Sequence, residues 1–279
     1  MTTPNGPGLD IDALRGLRRA RGNEDQIVRR IVQHLDDHDG YVAFSGGKDS
    51  ACVLHLARQA DPNVPVAFFD SGLEYPDTYR YLDQLQGRWR LNLHVIAAQP
   101  STLEILAAAG KWSHDQPTRV TTDLRTATIT APASTAHHAH GPGELWGVRA
   151  DESQGRRALY GRALRAETEH RCGSCCSTAE QRRARHGGVI RRLNGTTAYG
   201  PIWDWATEEV WAYLSRHQVP VNPVYGKLRR LGAPPRALRL SQMLDGDHLE
   251  TGRATWLRRG WPDLFEDLCC VLPRLREYV

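Results

Sequence analysis

A glycine-rich turn between an apolar run and a helical pattern constrains this chain more than any other stretch. Residues 41–44 read as a short buried strand, Gly46 and Gly47 interrupt it, and a helical pattern begins at Ser50. Such a turn presents free backbone N–H groups and the positive end of a helix dipole, and Lys48 adds a positive charge. The stretch therefore predicts a phosphate-binding site.

The order of residues in the turn distinguishes between two kinds of phosphate loop. The P-loop of kinases and GTPases needs a glycine where this chain has Val42, and a serine or threonine where it has Asp49. The string Ser-Gly-Gly-Lys-Asp-Ser at 45–50 instead resembles the pyrophosphate loop of the PP-loop ATP pyrophosphatase superfamily. This resemblance implies cleavage of ATP between the α- and β-phosphates, with adenylation of an acceptor. An ordinary glycine turn is the structural alternative.

Three further apolar runs follow the turn and alternate with helical patterns. Residues 64–69, 91–96 and 144–148 read as strands, and this alternation predicts a parallel sheet. Together with the resemblance, it implies a Rossmann-like α/β fold of the adenine nucleotide α-hydrolase type, with helices on both faces of the sheet. The predicted parts are an N-terminal arm and helix (1–39), a PP-loop nucleotide-binding domain (40–226) and a C-terminal helical region (227–279).

Later motifs resemble the phosphoadenosine-phosphosulfate (PAPS) reductase family within this superfamily. The stretch 70–78 is similar to the segment Asp-Thr-Gly-x-x-x-Pro-Glu-Thr, and 147–156 to the motif Gly-x-Arg-x-x-Glu-Ser-x-x-Arg. Asp70 and Gly72 follow a strand, where ligands of open parallel sheets bind. The nucleotide-binding residues implied by the resemblance are Ser45, Gly46, Gly47, Lys48, Asp49, Ser50, Asp70, Gly72, Gly147, Arg149, Asp151, Glu152 and Arg157, with Arg156 as the alternative to Arg157.

Three of these residues carry the mechanism that the resemblance implies. The loop amides and Lys48 hold the departing pyrophosphate, Mg²⁺ shields its charge, and Arg149 contacts phosphate or ribose and steadies the transition state. Asp49 organises the loop or the metal. Lys48, Asp49 and Arg149 are therefore the predicted catalytic residues.

The cysteines separate the subfamilies. Cys172, Cys175 and Cys176 lie in an arginine-rich loop, and together with Cys269 they offer four thiolates to a 4Fe-4S cluster. An iron–sulfur or zinc site, a sulfur-carrying thiol and cysteines without a role all stay open. The reductases use a cysteine in a Glu-Cys-Gly-x-His motif near the C-terminus, which this sequence does not contain. That difference argues against a sulfonucleotide reductase.

On these points the chain resembles the ATP pyrophosphatase subfamily of bacterial DNA-phosphorothioation systems. The resemblance implies ATP and Mg²⁺ as cofactors, a DNA backbone phosphate as the acceptor, and a cysteine desulfurase or other sulfur donor as a partner, and it is compatible with a homo-oligomer. The alternatives are a sulfonucleotide (PAPS or APS) reductase, another adenylating enzyme of sulfur metabolism, and a non-catalytic nucleotide-sensing subunit.

Composition excludes some other classes of protein. The 279 residues are 40% hydrophobic and 24% charged, which is typical of a globular protein. The sequence has no apolar run of 18 residues and begins without the pattern of a signal peptide. We therefore expect a cytoplasmic protein without a membrane partner.

One long stretch, 112–143, shows no clear periodicity and is rich in threonine, alanine and histidine. Long irregular connections inside compact domains are usually functional, so we expect a mobile lid here. His137, His138 and His140 suggest a metal site, but no carboxylate or cysteine accompanies them, and the lid is the favoured interpretation.

Overall fold

The computed structural model describes residues 23–234, 237, 238, 240 and 253–279. Within this part of the chain, six strands form one sheet in the order β3-β2-β1-β4-β6-β5. The strands are β1 (Tyr41–Ala43), β2 (Pro65–Asp70), β3 (Asn92–Ala97), β4 (Gly143–Trp146), β5 (Val189–Arg191) and β6 (Thr197–Tyr199). The α-helices are α1 (Glu24–His38), α2 (Lys48–Ala60), α3 (Pro76–Trp89), α4 (Thr102–Ala108), α5 (Ala131–His140), α6 (Gln154–Arg171), α7 (Ala179–His186), α8 (Thr207–Arg216), α9 (Pro223–Arg230), α10 (Ala254–Gly260) and α11 (Pro262–Val271).

Five of the strands are parallel, and β5 at the edge is antiparallel to β6. The predicted Rossmann-like α/β fold is therefore confirmed. The four predicted strands correspond to β1 to β4, whereas the sequence analysis did not predict β5 and β6. Each of these two strands has only three residues, and neither lies in a longer apolar run of the kind that marks the predicted strands.

Both faces of the sheet are covered by helices, and the strand residues alternate between the two sides. Val42 and Val66 pack into a large core with residues of α1, α2, α3 and α8. Their neighbours Tyr41 and Ala67 pack on the opposite face against Ala136 of α5. Successive side chains of a strand point to opposite faces, so this arrangement follows directly from the sequence of the strands.

The stretch 112–143 is helical in its second half, and the prediction of an irregular segment is wrong there. A π-helical turn (Thr126–Thr130) leads into α5, whose Ala136 is fully buried against the sheet. Helix α5 lies close to the strands, so only small side chains fit on its buried face. Its sequence therefore lacks the repeat of large apolar residues that marks a core helix. The Nε2 atom of His137 forms a hydrogen bond of 3.5 Å with the hydroxyl of Tyr41.

The C-terminal helices form a second core with part of the nucleotide-binding segment. Leu257, Trp261, Phe265 and Leu268 are buried, as their helical spacing predicts. They pack in the same cluster as Tyr75 and with residues of α9. The C-terminal region is thus packed directly against the segment that follows β2.

Some predictions remain untested by the fold. The predicted N-terminal arm lies mostly in residues 1–22, outside the described residues, whereas α1 matches the predicted helix. The domain limits at 39/40 and 226/227 stay predictions. Among the helices of the described residues, none combines the length and the apolar character that a membrane span requires.

Candidate functional site

The loop predicted to bind phosphate joins the carboxyl end of β1 to the first turn of α2. Gly46 has a φ of +71°, in the left-handed region that favours glycine. The Ser50 hydroxyl accepts a hydrogen bond from the Ser45 amide (3.2 Å) and donates one to the Gly47 carbonyl (3.0 Å). Ser50 therefore closes the loop from inside, while the Ser45 side chain is exposed at the sheet edge where a ligand would bind.

Two cations hold the carboxylate of Asp49. The Lys48 Nζ atom lies 2.5 Å from its Oδ2 atom, and the Arg149 Nε atom lies 2.7 Å from its Oδ1 atom. The three predicted catalytic residues are thus brought together, although Asp49 and Arg149 are 100 residues apart along the chain. The three side chains together carry one net positive charge, since a lysine and an arginine share one carboxylate.

Arg149 is buried, and its guanidinium group is hydrogen-bonded to three other residues of the protein. Its side chain is 2% exposed, and it also donates to the Trp205 carbonyl (2.8 Å) and to the Thr207 hydroxyl (3.1 Å). Each of its three nitrogens therefore has a protein partner. This placement differs from the expected direct contact with phosphate or ribose, and it makes Arg149 a residue that positions Asp49.

Gly147 lies where the end of β4 approaches the first turn of α2. A Cβ atom at this position would lie 2.7 Å from the Ser50 nitrogen and 2.8 Å from the Asp49 carbonyl carbon. Only glycine permits such an approach without displacing the loop. The close neighbour of Gly147 is thus the loop backbone, whereas contact with a nucleotide stays a prediction.

The residues after Arg149 form hydrogen bonds and ion pairs with it and with one another. Glu152 accepts a hydrogen bond from the Arg149 amide (2.9 Å) and pairs with Arg156. Asp151 is about half exposed, with its Oδ2 atom 3.7 Å from the Arg149 Nη1 atom. Of the two alternative arginines, Arg156 belongs to this network and Arg157 is exposed.

The segment after β2 forms a turn beside the loop. Asp70 accepts hydrogen bonds from the Gly72 amide (2.9 Å) and the Tyr79 hydroxyl (2.8 Å). Gly72 has a φ of +72°, and a Cβ atom there would lie 2.7 Å from the Cβ atom of Ser101. Burial raises the pKa of Glu74 to about 7, partly offset by a hydrogen bond from Ser71 and reinforced by the Asp70 charge. Asp70 and Gly72 thus shape a turn at the predicted edge.

Sequence analysis missed Tyr225 and Asn222 as site residues. The hydroxyl of Tyr225, on α9, accepts a hydrogen bond from the Lys48 amide (3.0 Å). Asn222 is 2% exposed and donates to the Thr78 hydroxyl (3.1 Å), linking α9 to α3. The stretch 220–225 is itself similar to a segment of the PAPS reductase family, and this similarity is the sequence signal that could have identified them.

The cysteine loop forms a separate cluster that includes a histidine. Cys172, Cys175, Cys176 and His186 each offer one donor atom, and these four atoms lie within 4.8 Å of one another. Cys269 is not a member: it is 4% exposed in α11, within the C-terminal core. The predicted set of four cysteines is corrected accordingly, because the fold brings His186 and not Cys269 to the loop.

Two thiols of this cluster, Cys172 and Cys175, have pKa values shifted in opposite directions. The Sγ atoms of Cys172 and Cys175 lie 2.9 Å apart. This contact lowers the pKa of Cys175 to about 6, with further help from His186, and raises the pKa of Cys172 to about 11. One thiolate in the cluster is therefore favoured at neutral pH.

Helix α6 joins the segment after Arg149 to the cysteine cluster. It has 18 residues, begins at Gln154, close to Glu152, and ends at Arg171, directly before Cys172. A second connection passes through Gly187, next to His186: Gly187 packs against the ring of Trp203, whose carbonyl accepts a hydrogen bond from the Ala150 amide (2.7 Å).

Comparisons with known proteins show sequence similarity over most of the chain. A family model for the phosphoadenosine phosphosulfate reductase domain matches residues 40–237. The chain is 28% identical over 226 residues to a phosphoadenosine 5'-phosphosulfate reductase of Xanthomonas oryzae pv. oryzae, covering 77% of each chain. It is 27% identical to the enzyme of that name from Xylella fastidiosa, covering 70% of each chain.

Solved structures show more distant similarity. A phosphoadenylyl-sulfate (PAPS) reductase from Candida auris, in a phosphate complex, aligns with a TM-score of 0.48 and 17% identity, covering 80% of this chain and 90% of that one. An NH3-dependent NAD synthetase from Campylobacter jejuni aligns with a TM-score of 0.44 and 15% identity, covering 97% and 96%. The family model covers most of the chain, and the protein therefore belongs to the phosphoadenosine phosphosulfate reductase domain family of PP-loop proteins.

Proposed function

We propose that this chain is an enzyme that binds ATP at the 45–50 loop, cleaves it between the α- and β-phosphates and transfers the adenylyl group to an acceptor. The observation that carries the proposal is the loop itself, in which Lys48 and the buried Arg149 both hold Asp49. Loop amides and Lys48 provide a preorganised positive site for the departing pyrophosphate. Arg149 acts through Asp49 by fixing the geometry of the loop.

The phosphate loop offers few free carboxylate oxygens as ligands for Mg²⁺. Both carboxylate oxygens of Asp49 are engaged by cations, so Mg²⁺ is expected mainly on the nucleotide phosphates, as is usual for this ion. Bound there, Mg²⁺ would neutralise charge on the leaving group. The protein's own contribution is to orient the phosphates through the loop and to exclude alternative geometries.

A DNA backbone phosphate is the acceptor that we place first within this proposal. The net charge of the chain is +4, and its positive side chains are nearly all arginines, which suit phosphate contacts. A sulfur donor, such as a cysteine desulfurase, would then displace AMP. Duplex DNA is accordingly an arm of the experiment below.

Sulfonucleotide reduction is the second candidate, and the names of the relatives favour it over adenylation. That reaction needs a thiol at the sulfate group. The cysteines of the 172–176 loop group with His186 and not with the residues of the phosphate loop. Because the Ser-Gly-Gly-Lys-Asp-Ser string at 45–50 resembles the loop of ATP pyrophosphatases, we place ATP first and test both substrates.

The deciding experiment incubates the protein with ATP labelled in the α-phosphate and Mg²⁺, with and without duplex DNA. Parallel reactions contain PAPS or APS with a thiol reductant, and sulfite is measured. AMP with pyrophosphate supports the proposal, and stimulation by DNA supports the acceptor. Sulfite release without ATP cleavage would establish the second candidate, and nucleotide binding without turnover would indicate a sensing subunit.

Lys48→Ala tests whether the loop performs the chemistry. Loss of a preorganised charge at the leaving group is expected to lower turnover by about 100-fold or more. Lys111→Ala is the matched control, because Lys111 is an exposed lysine outside the loop. Full activity of the Lys48 variant would remove the loop from the mechanism.

A further inference from the structure

We infer that Cys172, Cys175, Cys176 and His186 form a binding site for a single zinc ion. The site is independent of the proposed nucleotide reaction. Three cysteines and one histidine are a donor set typical of structural zinc, and two of the four residues, Cys176 and His186, are buried. Zinc would bind the deprotonated thiols, releasing their protons.

The distances between the donor atoms match one tetrahedral ion. Bonds of about 2.3 Å to sulfur and about 2.0 to 2.1 Å to nitrogen place ligand atoms roughly 3.5 to 3.8 Å apart. The Cys175 and Cys176 sulfurs lie 3.6 Å apart, and the His186 Nε2 atom lies 3.5 Å from the first and 3.7 Å from the second. Three edges of the tetrahedron are therefore already formed.

The remaining sulfur needs only a small adjustment. The Cys172 Sγ atom lies 2.9 Å from that of Cys175, closer than two ligands of one ion. Cys172 occupies the position directly after α6 and is partly exposed, so its side chain can change rotamer and increase its distance from the Cys175 sulfur. A movement of about 1 Å completes the geometry.

The same compactness favours one ion over an iron–sulfur cluster. A 4Fe-4S cluster takes four cysteine ligands around a body of eight atoms, whereas here all donors lie within 4.8 Å of one another. The fourth donor is also an imidazole, since Cys269 lies in the C-terminal core. Zinc accepts this mixed set, and it has no redox chemistry that the site would have to support.

The ion would hold a part of the fold that has little apolar support. It links the end of α6 to the end of α7 across a segment without regular structure. Helix α7 has eight residues, of which only two, both alanines, are apolar, and Arg30 of α1 contacts the carbonyls of Ala184 and Gly187 at its end. Metal ligation supplies stability where a small core does not.

The first measurement is the metal content of the purified full-length protein. We expect one zinc per chain, and cobalt(II) substitution should give the absorption of a tetrahedral thiolate site. Loss of a residue that only hydrogen-bonds to a metal ligand already costs about 10- to 100-fold in metal affinity, so Cys176→Ser and His186→Ala should weaken zinc binding by about 100-fold or more. Cys270→Ser is the control, because Cys270 is exposed on α11.

A rescue variant keeps the inference falsifiable if ligand loss impairs folding. His186→Cys replaces imidazole by thiolate and should retain one zinc, with the altered charge-transfer spectrum of a four-sulfur cobalt site. Iron with inorganic sulfide, or a Cys172–Cys175 disulfide in protein purified under reducing conditions, would overturn the inference. So would zinc retained at full affinity in both Cys176→Ser and His186→Ala.

Discussion

Arg149 determines the charge and shape of the loop although its side chain is almost completely buried. A buried guanidinium is costly unless its hydrogen bonds are made, and here the Asp49 carboxylate and the Trp205 and Thr207 oxygens supply them. The residue thereby ties the start of α2 to the start of α8. Its proposed contribution to function is to hold Asp49, and thereby the phosphate loop, in place.

Replacing Arg149 by Met is therefore expected to destabilise the protein by about 3 to 5 kcal/mol, the cost of breaking a buried charged pair. Urea unfolding measures the change. Arg156→Met is the matched control: Arg156 also pairs with a carboxylate, but its side chain is 42% exposed, and such pairs contribute about 1 kcal/mol or less. Equal losses of unfolding free energy in the two variants would contradict the structural role of the buried Arg149 side chain.

Glu74 gives a pH dependence to stability. Its folded pKa of about 7 lies above the ordinary value of 4.5 because of burial, so the folded state holds its proton longer than the unfolded state. This contribution is fully present below pH 4.5 and is lost as pH rises through 7. Glu74→Gln should therefore be more stable than the parent at pH 8, by at most about 3 kcal/mol, and similar to it at pH 4.5.

The control for Glu74 is a carboxylate whose pKa shift has the opposite sign. Hydrogen bonds from Ser101 lower the pKa of the exposed Glu104. Glu104→Gln should lose stability at neutral pH and not gain it. Denaturant unfolding of both variants between pH 4.5 and 8 checks the prediction, and a Glu74 variant without any gain at pH 8 would refute it.

At this scale the sequence predicted the residues of the phosphate loop better than the ligands of the cysteine cluster. Lys48, Asp49 and Ser50 are adjacent in sequence, so a local motif identifies them. His186 lies ten residues after Cys176, and only the return of α7 brings it to the thiols. Tyr225 and Arg149 likewise act through contacts across 177 and 100 residues of the chain, which no local pattern contains.

At the scale of elements, the site depends on how closely β4 approaches α2. Gly147→Ala would place a Cβ atom 2.7 Å from the Ser50 nitrogen, so the loop must shift. Overpacking of this kind costs about 1 to 3 kcal/mol. Because the atoms that move belong to the loop, nucleotide affinity should fall together with the free energy of unfolding.

A second glycine provides the control for this substitution. Gly161 is exposed within α6, and a Cβ atom there would meet nothing within 4 Å. Gly161→Ala should stabilise the protein by up to about 1 kcal/mol through helix propensity and leave nucleotide affinity unchanged. Calorimetric titration with ATP and urea unfolding separate the two variants, and unchanged affinity in Gly147→Ala would contradict the proposed approach.

The elements differ in how well sequence predicts them, for physical reasons. Strands β1 and β2 are apolar runs that are largely buried within the sheet, and such runs are visible in sequence. Helix α5 is not, because it contacts the strands through small residues such as Ala136. Strand β5 is a three-residue edge whose pairing with β6 is set by tertiary structure.

At the scale of the whole molecule, the phosphate loop and the C-terminal region share their support. Tyr225 contacts the loop through its hydroxyl and packs in the C-terminal core through its ring. Trp261 of that region stacks near Tyr75, with ring centroids 4.3 Å apart, and donates a hydrogen bond to Asp77 at the start of α3. Unfolding the C-terminal region would therefore remove support from the site.

Trp261→Phe tests this connection while keeping an aromatic ring in the core. It removes the 2.5 Å hydrogen bond from the indole Nε1 atom to the Asp77 carboxylate, a charged bond worth about 1.5 to 3 kcal/mol. We expect a lower urea midpoint and weaker ATP binding. Trp256→Phe, at a half-buried tryptophan of α10, should change both quantities less. If the C-terminal region supports the site, each variant will lose its far-UV circular dichroism signal and its ATP binding at the same urea midpoint. Different urea midpoints for the two signals would show that the region unfolds independently of the site.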